Sequence, residues 1–253
     1  MSACLLPVAA VLFTFAVPAL AETPAANIAP TLGIEPGAMQ PVMDQAIFAH
    51  AIFNQLEGRW NGSNTQFRWD GQGWVGSDYD KLWIKSEGTV SNGALDDGQQ
   101  QFLYSRAVTT YFDLQGGLRS DIDSRPTRNW AAFGIQGLAP YFFDLELTGF
   151  VSGQGHLAAK LQGSYDLLIT QRLILQPQIE LNIYSKADPA RLVGAGLSDI
   201  DTGLRLRYEF SRQFAPYIGV VYEGKFGQTA NFARQAGAST GDVRFVFGIR
   251  AWF

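Results

Sequence analysis

From Trp60 to the end of the chain, apolar and polar residues alternate one by one, segment after segment. A period of two fits strands and excludes helices. Over 141–148, one face takes Tyr141, Phe143, Leu145 and Leu147, and the other takes Asp144, Glu146 and Thr148. Over 156–168, Leu157, Ala159, Leu161, Tyr165 and Leu167 oppose His156, Lys160, Gln162, Ser164 and Asp166. Leu173, Leu175, Ile179, Leu181 and Ile183 oppose Gln176, Gln178, Glu180 and Asn182. Leu204, Leu206, Tyr208 and Phe210 oppose Arg205, Arg207 and Glu209. Val243, Phe245, Phe247, Ile249, Ala251 and Phe253 oppose Asp242, Arg244, Arg250 and Trp252. The chain is therefore all-β over most of its length.

Alternation does not say which face points inward. A soluble barrel would turn Leu and Phe inside. A closed antiparallel transmembrane β-barrel would turn them toward lipid. Three features predict the membrane version. The only cysteine, Cys4, lies in an apolar leader. The alternating runs are roughly 11–13 residues, near the ~9–11 that cross a tilted wall. The last strand ends in Trp252-Phe253, an aromatic ending that resembles the strand by which outer-membrane barrels are recognised for assembly. No stretch after the leader has the roughly 20 apolar residues of a membrane helix.

Counting turns predicts about ten strands, with eight or twelve as the neighbouring even counts. The connection at 92–98 then falls on the periplasmic side and 77–80 on the outer side. Arg106 falls on the lipid face of a run continuing from Phe102 to Leu114, where a bulge at Thr109-Thr110 or snorkelling at the rim would accommodate it. A structural salt-bridge network fits the dense, mixed-sign polar face best, because buried charges need partners. In the functional alternative, the lumen is a constricted conduit whose Asp144, Glu146, Glu180 and Glu209 offer oxygen ligands to a cation.

Upstream, residues 1–21 read as an export signal, with Ala19-Leu20-Ala21 before the cut. Residues 22–40 are rich in Ala, Pro, Thr and Gly and read as a flexible linker. Residues 41–57 read as a short helix opened by Pro41 and ended by Gly58, with Met43 and His50 on one face. The barrel then occupies 58–253. This places the protein in the outer membrane of a Gram-negative cell, exported through the periplasm, in contact with outer-membrane lipid. The net charge of −4 rules out a broadly basic nucleic-acid surface.

Several strings carry a resemblance. They include Arg68-Trp69-Asp70-Gly71-Gln72, Gly76-Ser77-Asp78-Tyr79-Asp80-Lys81-Leu82-Trp83 and Phe112-Asp113-Leu114-Gln115-Gly116-Gly117. The closest is Tyr165-Asp166-Leu167-Leu168-Ile169-Thr170-Gln171-Arg172-Leu173-Ile174-Leu175-Gln176-Pro177. In this order, over roughly 48–253, the chain resembles the copper resistance protein B family. The resemblance implies an outer-membrane barrel acting in copper tolerance, with copper ions as ligand and a periplasmic multicopper oxidase alongside. No motif spacing supports an enzyme, and no catalytic residue is expected. Family members often carry Met- and His-rich repeats before the barrel, whereas this segment offers only Met39, Met43 and His50. Two thioethers and an imidazole make a soft set suited to one Cu(I). The same residues also suit an apolar strap with Met43 as packing. The alternatives to copper handling are a small barrel enzyme acting on lipid or peptide, for which Ser152 and His156 are the nearest hydroxyl and imidazole, and a purely structural barrel.

Overall fold

The computed structural model describes residues 46–253 apart from Ser124. The expected export signal, linker and residues 41–45 of the expected helix lie outside the described residues. The strands are β1 (Phe48–Trp60), β2 (Thr65–Gly76), β3 (Asp80–Ser91), β4 (Ala94–Ala107), β5 (Phe112–Asp121), β6 (Arg128–Ala139), β7 (Phe143–Ser152), β8 (Leu157–Ser164), β9 (Leu167–Leu168), β10 (Leu173–Tyr184), β11 (Gly196–Tyr208), β12 (Phe214–Lys225) and β13 (Gly241–Trp252), with α1 (Gly227–Gln235) before the last. β8 and β9 both pair with β10 and are two pieces of one wall strand, so the wall has twelve strands. Every neighbouring pair is antiparallel, and β1 pairs with both β2 and β13, which closes the barrel. Ala51 and Phe253 exchange backbone hydrogen bonds at the rim where the barrel strands begin and end, here the terminal rim. The opposite rim is the distal one.

The count is twelve rather than ten for two reasons. First, residues 48–57 are not helical but form most of β1. Asn54 is an extra residue between Phe53, opposite Gly71, and Gln55, opposite Asp70. This β-bulge lets a strand carry an even-numbered inward set before it and an odd-numbered set, Gln55, Glu57 and Arg59, after it. Gly58 does not cap a helix. It sits within β1, where an added Cβ would lie 2.6 Å from the ring of Phe247, so the aromatic ring covers the glycine. Second, the run through Arg106 breaks into β4 and β5. At the turn over 108–111, the Thr109 hydroxyl accepts from the backbone of Tyr111 and Phe112 (3.3 and 3.0 Å). Arg106 is exposed on the outer face, one residue from the end of β4 at the terminal rim.

The extra turn also exchanges the rims of the earlier connections. The 77–79 turn lies at the terminal rim. The β3–β4 turn is only Asn92-Gly93, at the distal rim, reversing both expected sides. Both turn residues have positive φ, 51° and 77°, the requirement of a tight hairpin turn and the reason for Asn-Gly there.

The inside of the barrel is polar and the outside apolar. Glu57 is 0% exposed and Arg59 1%, while Phe247 is 59% and Ile218 64% exposed. Water on the outside would make that arrangement unfavourable, at roughly 25 cal/mol per Å² of apolar surface. Lipid removes the penalty, so the distribution selects the membrane version of the barrel. Among the described residues no helix is long and apolar enough to cross a membrane, so the spanning falls to the strands.

Candidate functional site

The lumen combines an apolar cluster with a charged network. The cluster is Leu103, Trp130, Ala132 and Phe150 on β4, β6 and β7, flanked by Trp83, Ala158 and Tyr184. Arg119 lies 4.5 Å over the Phe150 ring. The charged network draws on the same strands as well as the rest of the wall, with Lys85 and Glu87 on β3, Glu146 on β7 and Lys160 on β8.

Register shows how the charges are arranged. Inward residues that pair across successive strands run Gln136, Glu146, Gln162, Glu180, Asp201, Glu223 and Asp242. Because strands tilt in a barrel, a row perpendicular to them climbs around the wall. This acidic row rises from Glu146, nearer the terminal rim, to Asp242 beside the distal rim.

Basic residues neutralise most of it. Lys85 donates to Glu146 (2.8 Å) and to Gln115 and Gln136. Arg68 and Lys160 reach Glu180 at 3.1 and 3.2 Å, and Lys160 also pairs with Glu87. Arg59 meets Asp201 and Glu223, each at 2.6 Å, and Arg244 meets Glu223 and Asp242. Glu57, though outside that row, is the most enclosed anion. It accepts from Arg59 Nε (2.7 Å), from Arg205 Nε and Nη2 (3.0 and 2.9 Å) and from the Tyr217 hydroxyl (2.9 Å). At the distal rim, Arg191 ties Asp123 (2.5 Å) to the loop before β11, and Thr229 of α1 accepts from Gly194 N (2.8 Å).

The residues expected to bind metal are not gathered into one cluster. Met39 and Met43 lie outside the described residues. His50 is in β1, so it shares no helix face with them. It is half-buried at the terminal mouth of the lumen, its ring 5.6 Å from Trp252 and 6.2 Å from Trp74. Lys81 stands 5.6 Å over Trp74. Asp144 is exposed at the terminal rim, and Glu209 just follows β11, 3.8 Å from Arg207. Glu146 and Glu180 flank Gln162 in the acidic row, each already ion-paired. Among the described residues no three of His, Cys, Asp and Glu close around one metal-sized point. The backbone of Ser152 donates to the His156 carbonyl, and among the described residues no bond joins the hydroxyl to the imidazole.

Sequence reasoning missed Glu57, Arg59, Asp70 and Asp201 as lumen residues. Alternation of Arg68, Asp70 and Gln72 would have found one of them, and a one-residue bulge concealed the first two.

Comparison with known proteins agrees with this architecture. The copper resistance protein B precursor (CopB) family matches residues 47–253. The copper resistance protein B of Escherichia coli is 45% identical over 212 residues, 84% of this chain and 72% of that protein. The copper resistance protein B homolog of Pseudomonas syringae pv. tomato is 42% identical over the same shares. Among solved structures, the NanC porin is similar in fold, with TM-score 0.52 and 13% identity over 81% of this chain and 99% of that one. An outer-membrane-type barrel whose sequence follows copper resistance proteins over nearly its whole described length belongs to the copper resistance protein B family.

Proposed function

We propose that the protein contributes to copper tolerance by binding or moving copper ions at the outer membrane of a Gram-negative cell, which it reaches through the periplasm. The family match over 47–253 carries this reading. In our reading it acts without catalysis, and a periplasmic multicopper oxidase is its natural neighbour on the terminal side. The geometry favours binding over free flow, because the lumen charges are cross-paired and an ion would have to displace arginine or lysine to pass.

His50 is the candidate anchor. Imidazole suits copper in either oxidation state, and the nearby faces of Trp74 and Trp252 favour a cation. Met39 and Met43 precede it in sequence and add the thioethers that select Cu(I).

Deleting the gene should lower copper tolerance, with the protein recovered in the outer-membrane fraction. The purified full chain in detergent should compete weakly with a Cu(I) chelator. The double substitution Met43→Ala and His50→Ala should abolish that competition and reduce tolerance. An unchanged titration together with unchanged tolerance would remove these residues from the site.

A further inference from the structure

Among the described residues, Asp70 is a lumen carboxylate that makes no ion pair; Asp199, held by Asn182 at 2.7 Å, is another. Asp70, on β2, faces inward between Gln55 and Glu87. Among the described residues no lysine, arginine or histidine nitrogen lies within 4.0 Å of it, whereas its neighbours Glu87 and Glu146 are held by Lys160 and Lys85. Asp70 lines a lumen cavity of about 60 Å³ together with Glu87, Gln101, Glu146, Gln162 and Lys85. The cavity therefore faces three carboxylates and one ammonium. Gln101, only 3% exposed, supplies a second observation: it lines this cavity, and its Oε1 has no hydrogen-bond partner among the described residues. An unpaired carboxylate and an unsatisfied amide oxygen on one buried cavity are costly unless something positive meets both.

We infer that this cavity is a cation site, in which Asp70 and the Gln101 carbonyl oxygen hold a partly hydrated divalent cation. Glu87 and Glu146 add negative potential while remaining on their lysines. The donors are hard oxygens, the set that suits Mg²⁺, Mn²⁺ or Ca²⁺ and that Cu²⁺ also accepts. The volume leaves room for an ion with a few waters. Among the described residues no three of His, Cys, Asp and Glu form a group that could hold a metal, so water would complete the ion's shell here. The site stands on this geometry and is separate from the His50 mouth.

The test uses the purified full chain in detergent, titrated with Mn²⁺ and with Cu²⁺ and followed by electron paramagnetic resonance. Wild type should bind one Mn²⁺, and the Cu²⁺ spectrum should retain an all-oxygen component when His50 is replaced by alanine. Asp70→Asn keeps size and shape and should weaken Mn²⁺ binding by about tenfold or more. Gln101→Glu should tighten it, which a damaged barrel would not do. Heat-modifiable migration on gels verifies that each variant is folded. Asp70-dependent Mn²⁺ binding supports the site even if deleting the gene leaves copper tolerance unchanged. No bound Mn²⁺ in wild type, or equal affinity in folded Asp70→Asn, overturns it.

Discussion

Replacing Glu57 by alanine is expected to destabilise the barrel by about 3–5 kcal/mol, the range for breaking a buried ion pair from one side. Glu57 is 0% exposed and accepts from two guanidinium groups and a tyrosine hydroxyl. The alanine variant leaves both cations enclosed. Arg59 retains Asp201 and Glu223, but among the described residues Arg205 retains only the amide oxygen of Gln178. Most of the loss should therefore come from Arg205. Glu57→Gln preserves volume and removes the charge, and it should fall between wild type and alanine. The double variant Glu57→Leu, Arg205→Met should recover much of the stability, because an apolar pair no longer has a charge to desolvate. Equilibrium unfolding in lipid vesicles, followed by tryptophan fluorescence, measures all of these. A loss below about 1 kcal/mol for Glu57→Ala would mean that water or Asp201 replaces the carboxylate at little cost, as for a surface pair.

The same residue shows where sequence reading stops. Alternation identifies β7, β8, β10, β12 and β13, whose own period is unbroken, and β11 beyond Ser198, an extra residue near its start. In β1 the extra Asn54 shifts the inward set by one, so the strand shows neither a clean period of two nor a turn signal, and its Ala, Ile and Phe also suit a helix. The β4–β5 turn is hidden for the opposite reason. Its four residues, 108–111, preserve parity, so even-numbered positions face outward on both sides and the pattern runs through the break. Candidate ligands were legible as residue types but not as a constellation. Glu57 meets Arg205 and Tyr217 across 148 and 160 residues, a contact that only closure and register create. Asp70 is visible as an inward residue once β2 is recognised. That it makes no ion pair among the described residues, while Glu87 and Glu146 do, depends on the cross-lumen reach of Lys85 and Lys160.

The second large effect should come from the other face of the same wall. Directly beside the acidic row runs an apolar one, with Ile135, Leu147, Leu161, Leu181 and Ile200 paired across β6, β7, β8, β10 and β11. Each lies one residue from a member of the lumen row and points the opposite way, since side chains alternate along a strand. Leu161→Arg therefore places a guanidinium in the hydrocarbon layer, flanked only by Leu147 and Leu181, and should cost about 2–4 kcal/mol. Gln162→Arg moves the same group by one position. There it meets Glu146 and Glu180, the cross-strand neighbours of Gln162, and loses only the amide's bond to Glu180 (3.1 Å). Its cost should be clearly smaller, with repulsion from Arg68 and Lys160 on Glu180 and from Lys85 on Glu146 opposing it. Leu206→Arg and Phe247→Arg should behave like Leu161→Arg, with an additional loss for Phe247 because its ring covers Gly58. Unfolding in vesicles gives the comparison directly. If arginine at 161 and at 162 costs the same, the outer face does not meet lipid. The polar lumen and apolar exterior would then need another explanation, such as burial of that face against protein.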